Sequence, residues 1–405
     1  MPKEIDLSVD FCGLRSINPF WLSSSPVSNS YEMIARAFDL GWAGCAYKTL
    51  GLEGPEGPIV NVTPRLATLN YEDKRFLGLE NIELITDRPL KDNLKDITKL
   101  KKRYPRHVLF VSIMAEVKKE AWQELTKMVE DAGCDGLELN FSCPHGMPEK
   151  GMGAAIGQNP EVTRKITEWV KEVAQTPVMV KMTPNITDMR LPARAAKAAG
   201  ADALAAINTV QALMGIDLEN FAPVPTVNEK GAYGGYSGPA VKPIALRFVS
   251  EMANDPELGL PISGMGGLST WQDAAEFLLV GATTLQVTTA IMRYGYRIID
   301  DLKEGLTNYM KEKGFNKISD MIGLSLPKIS RHEDLPRKPK MVASINRDLC
   351  IKDDICYVVC QDAGHQAITL NKDRLPEVDE EECGGCSLCM HVCPVEGCIT
   401  MKKAK

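Results

Sequence analysis

Between about residues 20 and 313, short apolar runs rich in β-branched residues alternate with longer stretches of helical period. Eight of the runs read as strands: "PFWLSSS", "WAGCAYKT", "HVLFVSIM", "GLELNFS", "PVMVKMT", "ALAAINT", "PISGMGG" and "TLQVTT". Their apolar character is nearly continuous rather than alternating, which is the pattern of a strand covered on both faces. Between them lie amphipathic segments such as "EAWQELTKMVEDAG" and "DAAEFLLVG", which stop at a glycine able to take the left-handed helix-stop conformation. Strands separated by helices pair in parallel, and eight such units close into a (β/α)8 TIM barrel. A doubly wound open sheet is the competing architecture, and the count of eight units speaks against it. Two connections, from Leu50 to about Leu90 and from Thr209 to about Pro239, exceed the ~2 to 6 residues usual for βα loops. Both leave the C-terminal end of a strand, the face on which barrel active sites lie.

Behind the eighth helix comes "LSLPKISRHEDLPRKPKMVASINRD", a proline-rich and charged stretch that reads as a linker. The expected partition is a barrel over 1–320, a linker over 321–340 and a second domain over 341–405. That last segment holds two cysteine runs, with "HQAITL" after the first and "GCITM" after the second, so it reads as a duplicated α+β module.

Composition narrows the setting. The chain has 405 residues, 44% hydrophobic and 25% charged, as in a soluble globular protein. A net charge of -6 gives no reason to expect nucleic acid or an anionic membrane as partner. The opening "MPKEIDLSVDFCG" lacks the apolar run of a signal peptide, and no segment approaches the ~18 apolar residues of a membrane span, so a cytoplasmic location is expected. Of 12 cysteines, eight lie between Cys350 and Cys398. Clustering of this kind, in a compartment that keeps thiols reduced, points to metal or redox chemistry rather than disulfides.

Cys383, Cys386, Cys389, Cys393 and Pro394 form C-x2-C-x2-C-x3-C-P, the ligand spacing of a two-cluster ferredoxin. Tetrahedral zinc is the alternative, but its CxxC pairs are separated by longer stretches. In the first run, "CIKDDICYVVC", the same offsets fall on Cys350, Asp353, Cys356 and Cys360. Because the fourth cysteine of each run serves the other cluster, one [4Fe-4S] cluster is expected on Cys350, Asp353, Cys356 and Cys393, and the other on Cys383, Cys386, Cys389 and Cys360. A carboxylate is a harder donor than a thiolate, so the Asp353 corner is expected to hold iron less firmly, giving an aspartate-ligated [4Fe-4S] or a [3Fe-4S] cluster. Cys398 falls outside both sets and reads as a small buried side chain.

Polar groups recur at nearly every strand end in the barrel, beginning with Ser24 and Thr49. Gly266 and Gly267 after strand seven, Thr288 and Thr289 after strand eight, and Ser237 with Gly238 on the preceding loop make a candidate phosphate cradle. Lys48 and Lys181 close strands at the barrel mouth, where an ammonium needs anionic company, and a reduced flavin with its charge at N1 supplies it. Cys143 in "NFSCPH" has the chemistry of a general acid or, deprotonated, of a nucleophile. Asn81, Glu83, Asn140, Asn208 and Thr209 offer amide, carboxyl and hydroxyl groups suited to the edges of a flat heterocycle.

"NIEL", "LNFSCPHG", "KMTPN", "NTV", "YSGPAVKPIALR" and the cysteine runs resemble the dihydroorotate dehydrogenase-like flavin barrels. More closely they are similar to the pyrimidine-reducing half of the dihydropyrimidine dehydrogenase family, with its C-terminal two-cluster ferredoxin domain, and above all to the family's bacterial NAD-dependent two-subunit branch. The resemblance runs from about Phe11 to Thr400. It implies an FMN enzyme that interconverts uracil or thymine with the 5,6-dihydro compounds. Cys143 would then be the general acid at C5, flanked by Ser142 and His145, while Asn81, Glu83, Asn140, Asn208 and Thr209 bind substrate. Lys48 and Lys181 match flavin-contacting lysines, and Ser24, Thr49, Ser237, Gly238, Gly266, Gly267, Thr288 and Thr289 complete the cofactor set. The sequence carries no strand–GxGxxG–helix unit for NAD(P)H beyond the barrel. The resemblance therefore implies an FAD and iron–sulfur partner subunit that oxidises NAD(P)H, with a ferredoxin donor as the lesser option.

Two other readings stand beside this one. A dihydroorotate dehydrogenase, or another cyclic-amide reductase, needs a cation for the substrate carboxylate, and none is evident once Lys48 and Lys181 face flavin. A non-catalytic electron-transfer scaffold would hold clusters and no flavin.

Overall fold

The structure is a computed structural model, and it describes residues 5–55, 57–72, 75–143 and 152–404. Two compact units divide the chain, one up to Lys328 and one from Ile329.

In the first unit the eight expected strands form a closed parallel barrel: β1 (Phe20–Leu22), β2 (Gly44–Leu50), β3 (Val108–Ile113), β4 (Gly136–Asn140), β5 (Val178–Lys181), β6 (Ala203–Ala206), β7 (Ile262–Met265) and β8 (Ala282–Val287). Each pairs with its neighbours in sequence, and β8 pairs with β1, as in Leu285 opposite Phe20. Every residue of β2, β3 and β4 is buried, which accounts for the unbroken apolar runs.

A helix follows each strand: α1 (Tyr31–Asp39), α2 (Leu90–Arg103), α3 (Lys119–Asp131), α4 (Pro160–Lys171), α5 (Arg190–Ala198), α6 (Lys242–Ala253), α7 (Trp271–Leu279) and α8 (Ile298–Lys313). Helix α3 buries Trp122, Leu125, Thr126 and Val129, one stripe at helical spacing. Helix α7 begins with a capping box in which Thr270 and Asp273 satisfy each other's backbone amides. Gly281, just past α7, holds φ at 103°, so the helix stops where the sequence placed its glycine.

A hairpin, Val9–Phe11 with Leu14–Ser16, covers the end of the barrel where the strands begin. Its turn residue Cys12 lies 3.6 Å from the carbonyl of Asp202, just ahead of β6. Phe11 packs edge-on against Trp21 and Phe110 at 5.3 and 6.1 Å. With that end filled by aromatic rings, access is left to the opposite face.

There the two long connections are not irregular. They join in one antiparallel sheet in the order Val210–Ala212, Gly234–Ser237, Arg75–Asn81, Leu66–Tyr71. Gly78 is required in this sheet, because a Cβ there would lie 2.4 Å from the ring of Tyr236.

The second unit is a duplicated α+β module. Met341–Ile345 pairs with Ile399–Lys403, and Ile368–Leu370 pairs with Pro376–Val378. Helices Ile355–Ala363 and Leu388–Val392 each begin within a cysteine run, the first carrying Cys356 and Cys360 and the second Cys389. Its separate core joins Val342, Ile368 and Ile399 to the buried Cys356, Cys383, Cys389 and Cys398. No helix among the described residues is long and apolar enough to cross a membrane.

Candidate active site

The strand ends and the antiparallel sheet enclose a cavity of about 990 Å³, its open mouth included. Ser24, Lys48, Thr49, Asn81, Glu83, Asn140, Cys143, Lys181, Asn208, Thr209, Ser237, Gly266, Gly267, Thr288 and Thr289 all line it. Residues read separately along more than 250 positions of sequence therefore face one space.

Lys181, at the end of β5, is 3% exposed and sits among oxygens. Its ammonium donates to Ser24 Oγ at 2.9 Å and Ser23 Oγ at 3.3 Å, with Glu138 Oε1 at 3.5 Å. Glu138 is fully buried and also accepts from the Ser24 hydroxyl and from Gln286 Nε2. A buried cation and a buried anion thus share one hydrogen-bonded network, which is what makes either tolerable inside a barrel. Gln286 lines the cavity, and its Oε1 has no hydrogen-bond partner among the described residues.

Lys48 has different company. Its ammonium lies 2.6 Å from Glu83 Oε1, and Arg65 Nε donates to Glu83 Oε2 at 3.0 Å. Burial holds the Lys48 pKa below the ordinary lysine range, against the opposing pull of the Glu83 carboxylate.

Around Cys143 the polar groups form a relay of hydrogen bonds. Asn140 Nδ2 donates to Thr49 Oγ1 at 3.0 Å, Ser142 Oγ donates to Asn140 Oδ1 at 3.1 Å, and Asn208 Nδ2 donates to Ser142 Oγ at 2.8 Å. The Thr209 amide donates to Asn208 Oδ1, and the Glu83 amide to Asn81 Oδ1. Such links fix each carboxamide's orientation. Cys143 is 8% exposed and packs with Ile85, Met114 and Met152. Its carbonyl accepts from Ala154, and Gly153 permits this approach, since a Cβ there would lie 2.5 Å from the Cys143 oxygen.

At the other end of the cavity, Gly266 and Gly267 hold φ of 117° and 80°, values that favour glycine. Thr289, at the start of the short helix Thr289–Tyr294, donates to Ser237 Oγ at 2.9 Å, and Thr288 to Ser25 Oγ at 3.1 Å. Backbone amides, hydroxyls and a short helix start thus gather after strands seven and eight, the place where this fold class binds phosphate.

Two expected residues stand back from the cavity wall. Ser142 is fully buried beside Asn140, and Gly238 packs on Gly78, where a Cβ would lie 2.8 Å from the Gly78 Cα. His145 lies outside the described residues. Sequence reasoning missed Glu138, Gln286, Tyr236 and Arg65. Glu138 and Gln286 carried a signal, as polar letters inside apolar strand runs, whereas Arg65 sits in a long connection with nothing local to mark it.

In the second unit, Cys360, Cys383, Cys386 and Cys389 line one cavity of about 360 Å³. That is the crossed ligand set expected from the spacing. Burial first, then Asp353, raises the Cys356 thiol to about 11, and Cys350 acts on it as well. No three acidic, histidine or cysteine side chains among the described residues converge on a single-ion site. A cluster asks for something else, since each of its ligands meets a different iron.

Residues 6–310 match the dihydroorotate dehydrogenase family, and residues 343–401 match the 4Fe-4S dicluster domain. The chain is 49% identical to the NAD-dependent dihydropyrimidine dehydrogenase subunit PreA of Escherichia coli K12, over 99% of this chain and 96% of that protein. It is 44% identical to the chloroplastic dihydropyrimidine dehydrogenase (NADP(+)) of Arabidopsis thaliana, over 84% and 81%. The catalytic subunit of dihydroorotate dehydrogenase B (NAD(+)) from Pyrococcus abyssi is 39% identical over 79% of this chain and 99% of its own length.

Proposed function

Since the chain belongs to the dihydroorotate dehydrogenase family and continues into a 4Fe-4S dicluster domain, we propose that it is the pyrimidine-reducing subunit of a dihydropyrimidine dehydrogenase. The observation that carries this reading is a single cavity uniting Cys143, the Asn81, Glu83, Asn140, Asn208 and Thr209 set, two lysines and a phosphate cradle. A relative of nearly equal length whose name gives it as a subunit of an NAD-dependent dihydropyrimidine dehydrogenase supports the same reading.

The cavity's donor set fits FMN. Gly266, Gly267, Ser237, Thr288 and Thr289 would hold the phosphate. Ser24, Lys48, Thr49 and Lys181 would hold the ring, and the Gln286 oxygen is left for a ring N–H. Bound FMN supplies hydride transfer. Asn81, Glu83, Asn140, Asn208 and Thr209, oriented by their mutual hydrogen bonds, would fix the uracil or thymine edges, with Ser142 and His145 supporting the Cys143 loop. Cys143 would deliver the proton to C5. Two clusters on the crossed ligand sets would carry electrons from an FAD and iron–sulfur partner subunit that oxidises NAD(P)H.

Anaerobically reconstituted protein supplied with low-potential electrons is expected to reduce uracil and thymine. Cys143→Ala should retain FMN and lose about 10²- to 10⁴-fold in turnover, the usual worth of a positioned acid. Full activity in that variant overturns the assignment. A second reading needs a cation for a carboxylate-bearing substrate such as orotate, and Arg65, beside Glu83 but not on the cavity wall, is the candidate for it. Its engagement with Glu83 at 3.0 Å argues for the first. Uracil, thymine and orotate assayed side by side separate the two readings, and orotate as the best substrate selects the second.

A further inference from the structure

Asp353 stands where the second cysteine run has Cys386. The backbone does not register the change. Lys352 and Gly385 hold φ of 62° and 71°, and Asp354 and Ser387 hold 61° and 63°. A left-handed backbone is unfavourable for lysine, so a loop released from ligand duty has no reason to keep Lys352 in it. Burial follows the same register, with Cys356 and Cys389 buried while Asp353 and Cys386 are exposed. The next residue is the N-cap of a helix in each run, Asp354 before Ile355 and Ser387 before Leu388. Of the two adjacent aspartates, Asp354 is held in an ion pair by Arg374, while Asp353 Oδ1 accepts from the Ile355 amide at 3.1 Å and its second oxygen is the donor offered at the ligand position.

Resting on the iron–sulfur reading above, we propose that Asp353 holds the fourth iron of the first cluster and makes that iron exchangeable, so that one cube opens reversibly while the other stays closed. A carboxylate oxygen is a harder donor than thiolate and binds cluster iron less firmly. Because Asp353 is exposed, water and chelators can reach that corner. The step balances without a redox partner: a dicationic four-iron core releases one ferrous ion and leaves a neutral three-iron core, the Asp353–iron bond breaking and the sulfides staying in place. Return of ferrous ion closes the cube. Cys398 is the competing fourth ligand. It is 2% exposed and donates to the Asn346 carbonyl at 3.6 Å.

The test uses the full chain, reconstituted anaerobically as wild type, Asp353→Cys, Asp353→Ala and Cys398→Ala. Iron and sulfide are counted before and after EDTA, and EPR is recorded after one-electron oxidation with ferricyanide. Wild type should fall from about eight irons to about seven, show a three-iron signal, and recover on addition of ferrous ion. Asp353→Cys should keep about eight with no three-iron signal, Asp353→Ala should begin near seven, and Cys398→Ala should follow wild type. Wild type that keeps all its iron under EDTA, or Cys398→Ala that behaves as Asp353→Ala, overturns the proposal alone. Chains that take up no iron and sulfide in any variant overturn the iron–sulfur reading itself.

Discussion

The Lys48–Glu83 pair holds two opposite charges 2.6 Å apart with both side chains 5% exposed. Glu83→Gln removes the anion and leaves a buried ammonium, a change that costs about 3–5 kcal/mol when one partner of such a pair is lost. The pH dependence follows from the direction of the Lys48 shift. Its folded pKa lies below its unfolded one, so folding disfavours the charged form, and that penalty fades as pH rises from the folded toward the unfolded pKa. With glutamine at 83 the folded pKa drops further, and the variant's deficit against wild type should shrink toward alkaline pH. Urea unfolding at about pH 7 and about pH 9.5 checks this, and an unchanged deficit removes Lys48 from the account. Lys48→Met combined with Glu83→Gln should lose less than the two single changes together. Along the chain these residues read as one flavin contact and one substrate contact. Their meeting was not legible, because they lie 35 positions apart, Lys48 on barrel strand β2 and Glu83 in the long connection after it.

Among the elements, the antiparallel sheet over the mouth is stitched by one carboxylate. Glu80, fully buried on strand Arg75–Asn81, accepts from the Gly234 amide at 2.9 Å and the Met214 amide at 3.1 Å, both from the other long connection. Glu80→Ala strands two amide donors and should cost about 1–3 kcal/mol in urea unfolding. It should also loosen FMN, measured as faster release on dilution, because Ser237 of the cradle belongs to the strand that Glu80 pins. A change within about 0.5 kcal/mol would mean that other contacts join the two connections. The barrel strands were legible from their continuous apolar runs. This sheet was not, since Leu66–Tyr71 is mostly exposed, Arg75–Asn81 is only partly buried, and the two connections pair across some 150 residues of sequence.

At the scale of the molecule, the barrel and the cysteine module have separate apolar cores, one ending at Met321 and the other beginning at Val342. Domains with their own cores fold independently. Residues 1–328 expressed alone should therefore bind FMN and be reduced directly by dithionite, while losing turnover driven through the partner subunit. Equal partner-driven turnover in the truncated and full chains would show that electrons reach the barrel without the clusters.

The sequence by itself determined the eight strand–helix units, the duplicated cysteine module and the residue types at the strand ends. Periodicity and spacing are local properties, and covering both faces of a strand or holding a cluster leaves a local trace. Only the tertiary structure decided that Glu83 neutralises Lys48, that Arg65 joins them, that Glu138 links Lys181 to Gln286, and that two long connections share one sheet. Coulomb attraction and hydrogen bonding depend on distance in space, and closure of the barrel brings together groups that the chain keeps apart.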